Sequence, residues 1–347
     1  MKVSFESDYN NGACPEVLQH LIDTNGETSA SYGDDRWSES ARERIRRVCC
    51  RPKASVYFLA GGTQTNAVTL DAILAPGEGV VAVETAHINV HEAGAVEATG
   101  HKILTLPHEH GKMRATDLEK LLAAHEADPN RTHMVAPGVV YITVPTELGT
   151  TYFAAEIEAI YNVCRRHNVK LYVDGARLAY GLAAESCDYD MAWLAAHCDV
   201  FYIGGTKCGA LCGEAVVFPA GDEPRGFFTH IKRRGALLAK SRLVGVQFDR
   251  LFTDGLYLRI GIQAVEMAMN LRKMMQYAGL QVLDSDTNQQ FVVLSNEQAA
   301  KLANKIAFEL WERLDGDNAL YRFVTSWATT DAHLDTLTCA LQSISQQ

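Results

Sequence analysis

Short apolar runs alternate with amphipathic stretches along most of this chain. Ala54 to Leu59, Gly79 to Val83, Lys102 to Leu106, Val139 to Val144, Val169 to Val173 and Val200 to Ile203 are runs of strand type. Between them lie segments of helical pattern: Ser40 to Cys50, Gly61 to Leu74, a helix opening near His87, Thr116 to His125 and Ala154 to His167. Thr116 and Glu119 have the spacing of a capping box. Ala215 to Phe218 reads as a returning antiparallel strand, and Phe227 to Leu238 and Val246 to Met275 as helices. From Gly279 the texture changes to a strand (Gln290 to Leu294), a helix (Asn296 to Leu314), a strand (Leu320 to Val324) and a helix (Thr330 to Ser345). Alternating strands and helices predict an α/β protein with a mostly parallel sheet, and the tail predicts a smaller α/β domain joined through a helix.

Bulk properties narrow the class. At 347 residues the chain has room for two domains, and 47% apolar with 21% charged residues is ordinary for a globular protein. A net charge of −10 argues against a nucleic-acid partner or an anionic membrane surface, while leaving room for a local basic pocket. The opening MKVSFESDYNNG has no apolar signal core, and no run approaches the ~18 apolar residues of a membrane span. Nine cysteines without paired close spacings read as reduced thiols, so a cytoplasmic location is expected. Cys164, Cys198 and Cys339 read as packing residues. No metal site is expected, because the cysteines lack a second pair and histidines at ligand spacing.

Two of the apolar runs end in chemistry. Val169 to Val173 leads into Asp174-Gly175-Ala176-Arg177, and about thirty residues later Val200 to Ile203 leads into Gly204-Gly205-Thr206-Lys207. Two strands would thus present an acid and an amine at one end of a sheet. An acid that holds a protonated pyridine nitrogen and a lysine that forms an imine are what pyridoxal phosphate chemistry requires. Gly61-Gly62-Thr63 sits between a strand and a helix, where backbone N–H groups can cradle a phosphate. Neither GxxxxGK[ST] nor GxGxxG occurs here, so a nucleotide loop is not supported.

A resemblance rests on these and further strings. Ser7-Asp8, Tyr32-Gly33-Asp34-Asp35, Gly62-Thr63-x-x-Asn66, His87-Ile88-x-x-x-Glu92, Asp174-Gly175-Ala176-Arg177, Thr206-Lys207, Arg242 and Arg322-Phe323-Val324-Thr325 occur in that order. Together they resemble the L-threonine aldolase group of the aromatic amino acid/β-eliminating lyase family. The resemblance implies the aspartate-aminotransferase fold (fold type I) and pyridoxal 5'-phosphate as cofactor. It implies a segment 1–45 packing on the core and a neighbouring subunit, a large cofactor domain 46–250 and a small domain 251–347. Lys207 would bind the cofactor covalently, Asp174 would pair with the ring nitrogen, His87 would stack on the ring, and Gly62 and Thr63 would hold the phosphate. Arg242 would reach the phosphate from the neighbouring subunit, and Tyr32 would lie near the site across that interface. Ser7, Arg177 and Arg322 would bind the substrate carboxylate, a guanidinium being its natural bidentate partner, with Tyr32 also on the substrate side and Arg177 also touching the cofactor.

The chain also departs from the family pattern. Val144-Pro145-Thr146-Glu147-Leu148 stands where the family commonly has Glu-Asn-Thr-His-Asn, so Glu147 falls where a histidine often meets the substrate hydroxyl. His91 falls where an aromatic residue often follows the stacking histidine. Glu147 and His91 are therefore the candidates to handle the β-hydroxyl proton. The implied activity is retro-aldol cleavage of L-threonine and L-allo-threonine to glycine and an aldehyde, in a homodimer or homotetramer. The alternatives are a β-eliminating lyase of the tyrosine phenol-lyase type, or a binding protein that kept the fold and lost catalysis.

Overall fold

The computed structural model describes residues 2–344. Its centre is a seven-stranded sheet in the spatial order Ser55–Leu59, Glu214–Phe218, Val200–Gly204, Lys170–Asp174, Ala136–Thr143, Glu78–Val83 and Ile103–Leu106. Only Glu214–Phe218 runs against the others, pairing antiparallel with both its neighbours. The middle strands are buried on both faces, which is why they read as continuous apolar runs rather than as an alternation. The carboxyl ends of the parallel strands therefore open on one edge, where ligands of open α/β sheets bind.

A four-stranded antiparallel sheet, Glu309–Arg313, Asn318–Val324, Gln289–Ser295 and Gln281–Val282, forms the C-terminal layer with its own core around Leu271, Phe323 and Leu337. The helix Leu256–Tyr277 reaches both cores: Ile260 and Ala264 pack in the larger, Leu271 and Met275 in the smaller. The N-terminal strand Val3–Ser4 pairs in parallel with Ile306–Ala307. No helix among the described residues is long and apolar enough to cross a membrane.

The large sheet follows the sequence pattern strand for strand, and several local expectations are corrected. The stretch 246–275 is two helices, Arg242–Leu251 and Leu256–Tyr277, because Asp254 and Gly255 both take positive φ. The expected helix 296–314 stops at Leu302 and gives way to strands Ile306–Ala307 and Glu309–Arg313. There Phe308 stacks on Phe323 and Trp311 packs on Phe291, so tertiary pairing overrides the helical pattern. Thr116 does not cap: the helix begins at Ala115, which puts Thr116 inside the first turn. The helix after Gly226 ends at Arg233, and the helix at His87 is a single turn, His87–Val90. The last helix spans Asp331–Leu341, and Ser345 lies outside the described residues. The helix Pro15–Thr24 was not anticipated, and Cys339 is exposed rather than packed.

Candidate active site

A cavity of about 350 Å³ lies at the carboxyl edge of the large sheet. Gly61, Gly62, Thr63, His87, Glu147, Asp174, Arg177, Lys207 and Glu214 are among the residues that line it. The two strands that carry Asp174 and Lys207 are hydrogen-bonded neighbours. They approach closely enough that a Cβ on Gly175 would collide with the Tyr202 carbonyl, and one on Gly204 with that of Ala176.

Asp174 ends its strand with only 2% exposure. Its Oδ1 accepts from the Ala176 N–H at 2.9 Å, and its Oδ2 accepts from Asn66 Nδ2 at 3.1 Å and from the Tyr141 hydroxyl. Burial holds the Tyr141 phenol far above its usual pKa, with the Asp174 charge adding to the effect, so Tyr141 stays a donor. Asn66 is fixed in turn by the Tyr172 hydroxyl at 2.9 Å and donates to Glu92 at 2.8 Å. Three donors thus set the direction of one carboxylate.

Lys207 is half-buried and lines the cavity, and its amine makes no hydrogen bond among the described residues. Burial and the nearby Arg177 cation pull its pKa down, against the pull of Asp8, Asp174 and Glu214. A lowered lysine pKa leaves more free amine to attack a carbonyl carbon. Lys207 is held by a turn closed by Gly205 and Thr206 N–H bonds to the Gly213 carbonyl. Glu214 braces this turn, accepting from the Gly205 N–H at 2.9 Å, and burial pushes its carboxyl up to about 7.

Across the cavity, Gly61 and Gly62 open the twelve-residue helix Gly62–Ile73. Its first residues line the cavity and no side chain caps it, leaving the positive dipole end for an anion. His87 is oriented through Nδ1 by the buried Glu92 carboxylate at 2.7 Å, and its backbone N–H donates to Glu147 at 2.9 Å. Glu147 is 7% exposed. Its Oε1 also accepts from Thr143 at 2.8 Å, whereas its Oε2 is buried without a partner. Burial raises its pKa above the ordinary value despite those hydrogen bonds.

Not every residue singled out in the sequence reaches this cavity. Arg177 does, but its Nε and Nη2 clasp the buried Asp8 carboxylate at 2.7 and 3.1 Å. Burial works against both charges, yet Arg177 keeps Asp8 below its usual pKa and Asp8 keeps Arg177 protonated. Ser7 is half-buried next to Asp8, and its Oγ accepts from the Tyr9 N–H at 3.2 Å. Arg322 is buried in the small sheet, within electrostatic reach of Arg177. His91 is an exposed neighbour whose ring lies 5.6 Å from His87 and 6.1 Å from Trp311. Burial and His87 lower its pKa. Tyr32 is 41% exposed, at positive φ, with the Lys232 amine 4.6 Å from its ring. Arg242 donates to the Thr24 and Glu27 carbonyls at 2.8 and 2.7 Å, away from this cavity. The sequence reading gave no role to Asp8, Asn66, Glu92, Tyr141 or Glu214, although three of these sit inside quoted motifs.

The chain is 29% identical over 345 residues to a low specificity L-threonine aldolase from Pseudomonas sp., covering 98% of this chain and 97% of that one. It is 38% identical to a solved threonine aldolase of Leishmania major, with a TM-score of 0.95 and 99% of each chain covered. A histidinol-phosphate aminotransferase from Clostridium acetobutylicum shares the fold alone, with a TM-score of 0.76 at 11% identity over 99% of each chain. The architecture is therefore the fold type I of the aminotransferases. Residues 4–311 match the beta-eliminating lyase family, and the chain belongs to it.

Proposed function

We propose that this protein is a pyridoxal phosphate-dependent aldolase. It cleaves L-threonine, L-allo-threonine and related β-hydroxy-α-amino acids to glycine and an aldehyde. The observation that carries the reading is the convergence of Asp174, Lys207, His87 and an uncapped helix N-terminus on one cavity. The full-length similarity to low specificity L-threonine aldolases supports the substrate class.

The residues present fit the cofactor. The N–H groups at Gly62 and Thr63 offer donors to its phosphate, and a Cβ on Gly62 would approach the Tyr202 hydroxyl to 3.4 Å, which narrows that cradle. Asp174 offers a fixed anion to the ring nitrogen, His87 a ring to its face, and Lys207 an unpaired amine to its aldehyde. When bound, pyridoxal phosphate supplies a protonated ring that accepts the electrons of the breaking Cα–Cβ bond.

The chain's own groups supply orientation and proton handling. Arg322 does not line the cavity, but it lies within electrostatic reach of Arg177, which does, and its Nε lacks an acceptor; these features suit it to a substrate carboxylate. Arg177, neutralised by Asp8, holds the cavity wall in place. Glu147, which lines the cavity, takes the β-hydroxyl proton: one oxygen is tethered to Thr143 and the His87 N–H, and the other has no hydrogen-bond partner. His91 backs the His87 ring rather than lining the cavity. A homodimer or homotetramer is the working form, with Tyr32 and Arg242 serving the neighbouring site.

The test is Lys207→Ala. The parent should form acetaldehyde from L-threonine and carry the reduced pyridoxyl label on Lys207 after borohydride treatment and peptide mapping. The variant should do neither. Cleavage by the variant, or a label on Lys232 or Lys240 in the parent, would sink the assignment.

A further inference from the structure

Arg322 stands in the middle of the small sheet with Glu309 directly opposite it on the edge strand Glu309–Arg313. The guanidinium has three kinds of neighbour. Its Nη1 donates to Gln289 at 2.9 Å, its face lies 4.9 Å from the centre of the Trp311 ring, and its Nη2 donates to the Glu309 carboxylate. Its Nε is buried and has no acceptor. Nε and Nη2 form one edge of a guanidinium, the edge that meets a carboxylate through two parallel hydrogen bonds. Glu309 takes only half of that edge.

The two partners differ in how firmly they are held. The side chain of Arg322 is 9% exposed, and Gln289 and Trp311 fix it from two sides. Glu309 is 46% exposed, on an edge strand interrupted by a bulge between Leu310 and Glu312. An exposed carboxylate loses little on returning to water, whereas the buried guanidinium needs an anion. A carboxylate able to take both Nε and Nη2 would therefore replace one that takes Nη2 alone.

We infer that Glu309 is an internal competitor for the anion position on Arg322, displaced when the amino-acid substrate binds through its carboxylate. The inference rests on the reading that Arg322 holds that carboxylate. Glu309 is then a positioning and affinity-setting residue: it keeps Arg322 ionised and aimed in the free enzyme, and each binding event must first break its ion pair. The chemistry it selects for is a planar monoanion that spans two parallel donors.

The holoenzyme tests this through Glu309→Gln, which keeps the shape and removes the charge. The KM for L-threonine and the dissociation constant for glycine, measured by equilibrium dialysis without turnover, should both fall by about two- to fivefold, the scale of a partly exposed ion pair. Raising the salt concentration should shrink the difference between variant and parent, and Glu309→Asp, which restores the charge, should return both constants toward the parent values. Arg322→Ala should weaken glycine binding more than tenfold. If Arg322→Ala weakens binding but Glu309→Gln leaves it equal or weaker than in the parent, the displacement is refuted and the carboxylate site stands. If Arg322→Ala leaves glycine binding intact, the carboxylate assignment falls and the displacement falls with it.

Discussion

The two oxygens of Glu147 have different surroundings, and that difference sets up a test. One accepts hydrogen bonds from Thr143 and the His87 N–H, and the other is buried and unpaired. A carboxylate accepts a proton only when ionised, and burial raises this one above the ordinary range. Cleavage should therefore fall as pH drops through that raised pKa, at higher pH than for an exposed carboxylate, and be fully present above it. Glu147→Gln should lose on the order of 10²- to 10⁴-fold in cleavage rate while still exchanging the α-proton of glycine. His91→Phe should retain cleavage. The opposite pattern, with His91→Phe inactive and Glu147→Gln competent, would move the base to His91. At this scale the sequence showed the acid and the amine because each ends an apolar run in small residues. Asp8 and Glu214 stayed hidden for a physical reason: Asp8 meets Arg177 and Asn288 only in the folded chain, and Glu214 reads as the first residue of an apolar strand.

Among the elements, the helix Leu256–Tyr277 makes a contact that leaves no room for a side chain. A Cβ on Gly261 would collide with the Ala179 carbonyl on the short helix Leu178–Leu182, which follows the Asp174 strand directly. Alanine is the better helix former by about 1 kcal/mol. The close approach outweighs that gain, because overpacking costs about 1–3 kcal/mol and the clash is with backbone. Gly261→Ala should lower the urea midpoint and loosen Arg177, whose backbone opens that short helix. A variant as stable as the parent would show that the two helices part freely. The large-sheet strands were legible because double-sided burial writes an unbroken apolar run. The small sheet was not, because the strand Glu309–Arg313 is mostly exposed and its Glu-Leu-Trp-Glu-Arg composition suits a helix equally well. In the turn that follows, the Asp315 carboxylate accepts from the N–H groups of Asp317 and Asn318.

For the whole molecule, the assembly reading makes a demand that single-chain geometry does not. Arg242 holds the Thr24 and Glu27 carbonyls of its own chain. If it also completes a neighbour's site, mixing inactive Lys207→Ala with inactive Arg242→Ala should restore activity, since one composite site per mixed dimer has both residues. No recovery after verified subunit exchange would confine Arg242 to its own chain. The N-terminal segment adds a constraint of another kind. Val3–Ser4 pairs with Ile306–Ala307, the Phe5 carbonyl accepts from the Val324 N–H, and Asp8 is shared between Arg177 and Asn288. A ribosome adding about 5–20 residues per second makes the start of the chain wait roughly 15–60 seconds for Ile306 and Val324. Until then Asp8 can meet Arg177 only without the strand pairing that holds its segment in place. The order of synthesis therefore makes the first eight residues the last to dock, and a chain arrested before Ile306 has all seven strands of the large sheet and an unfinished site.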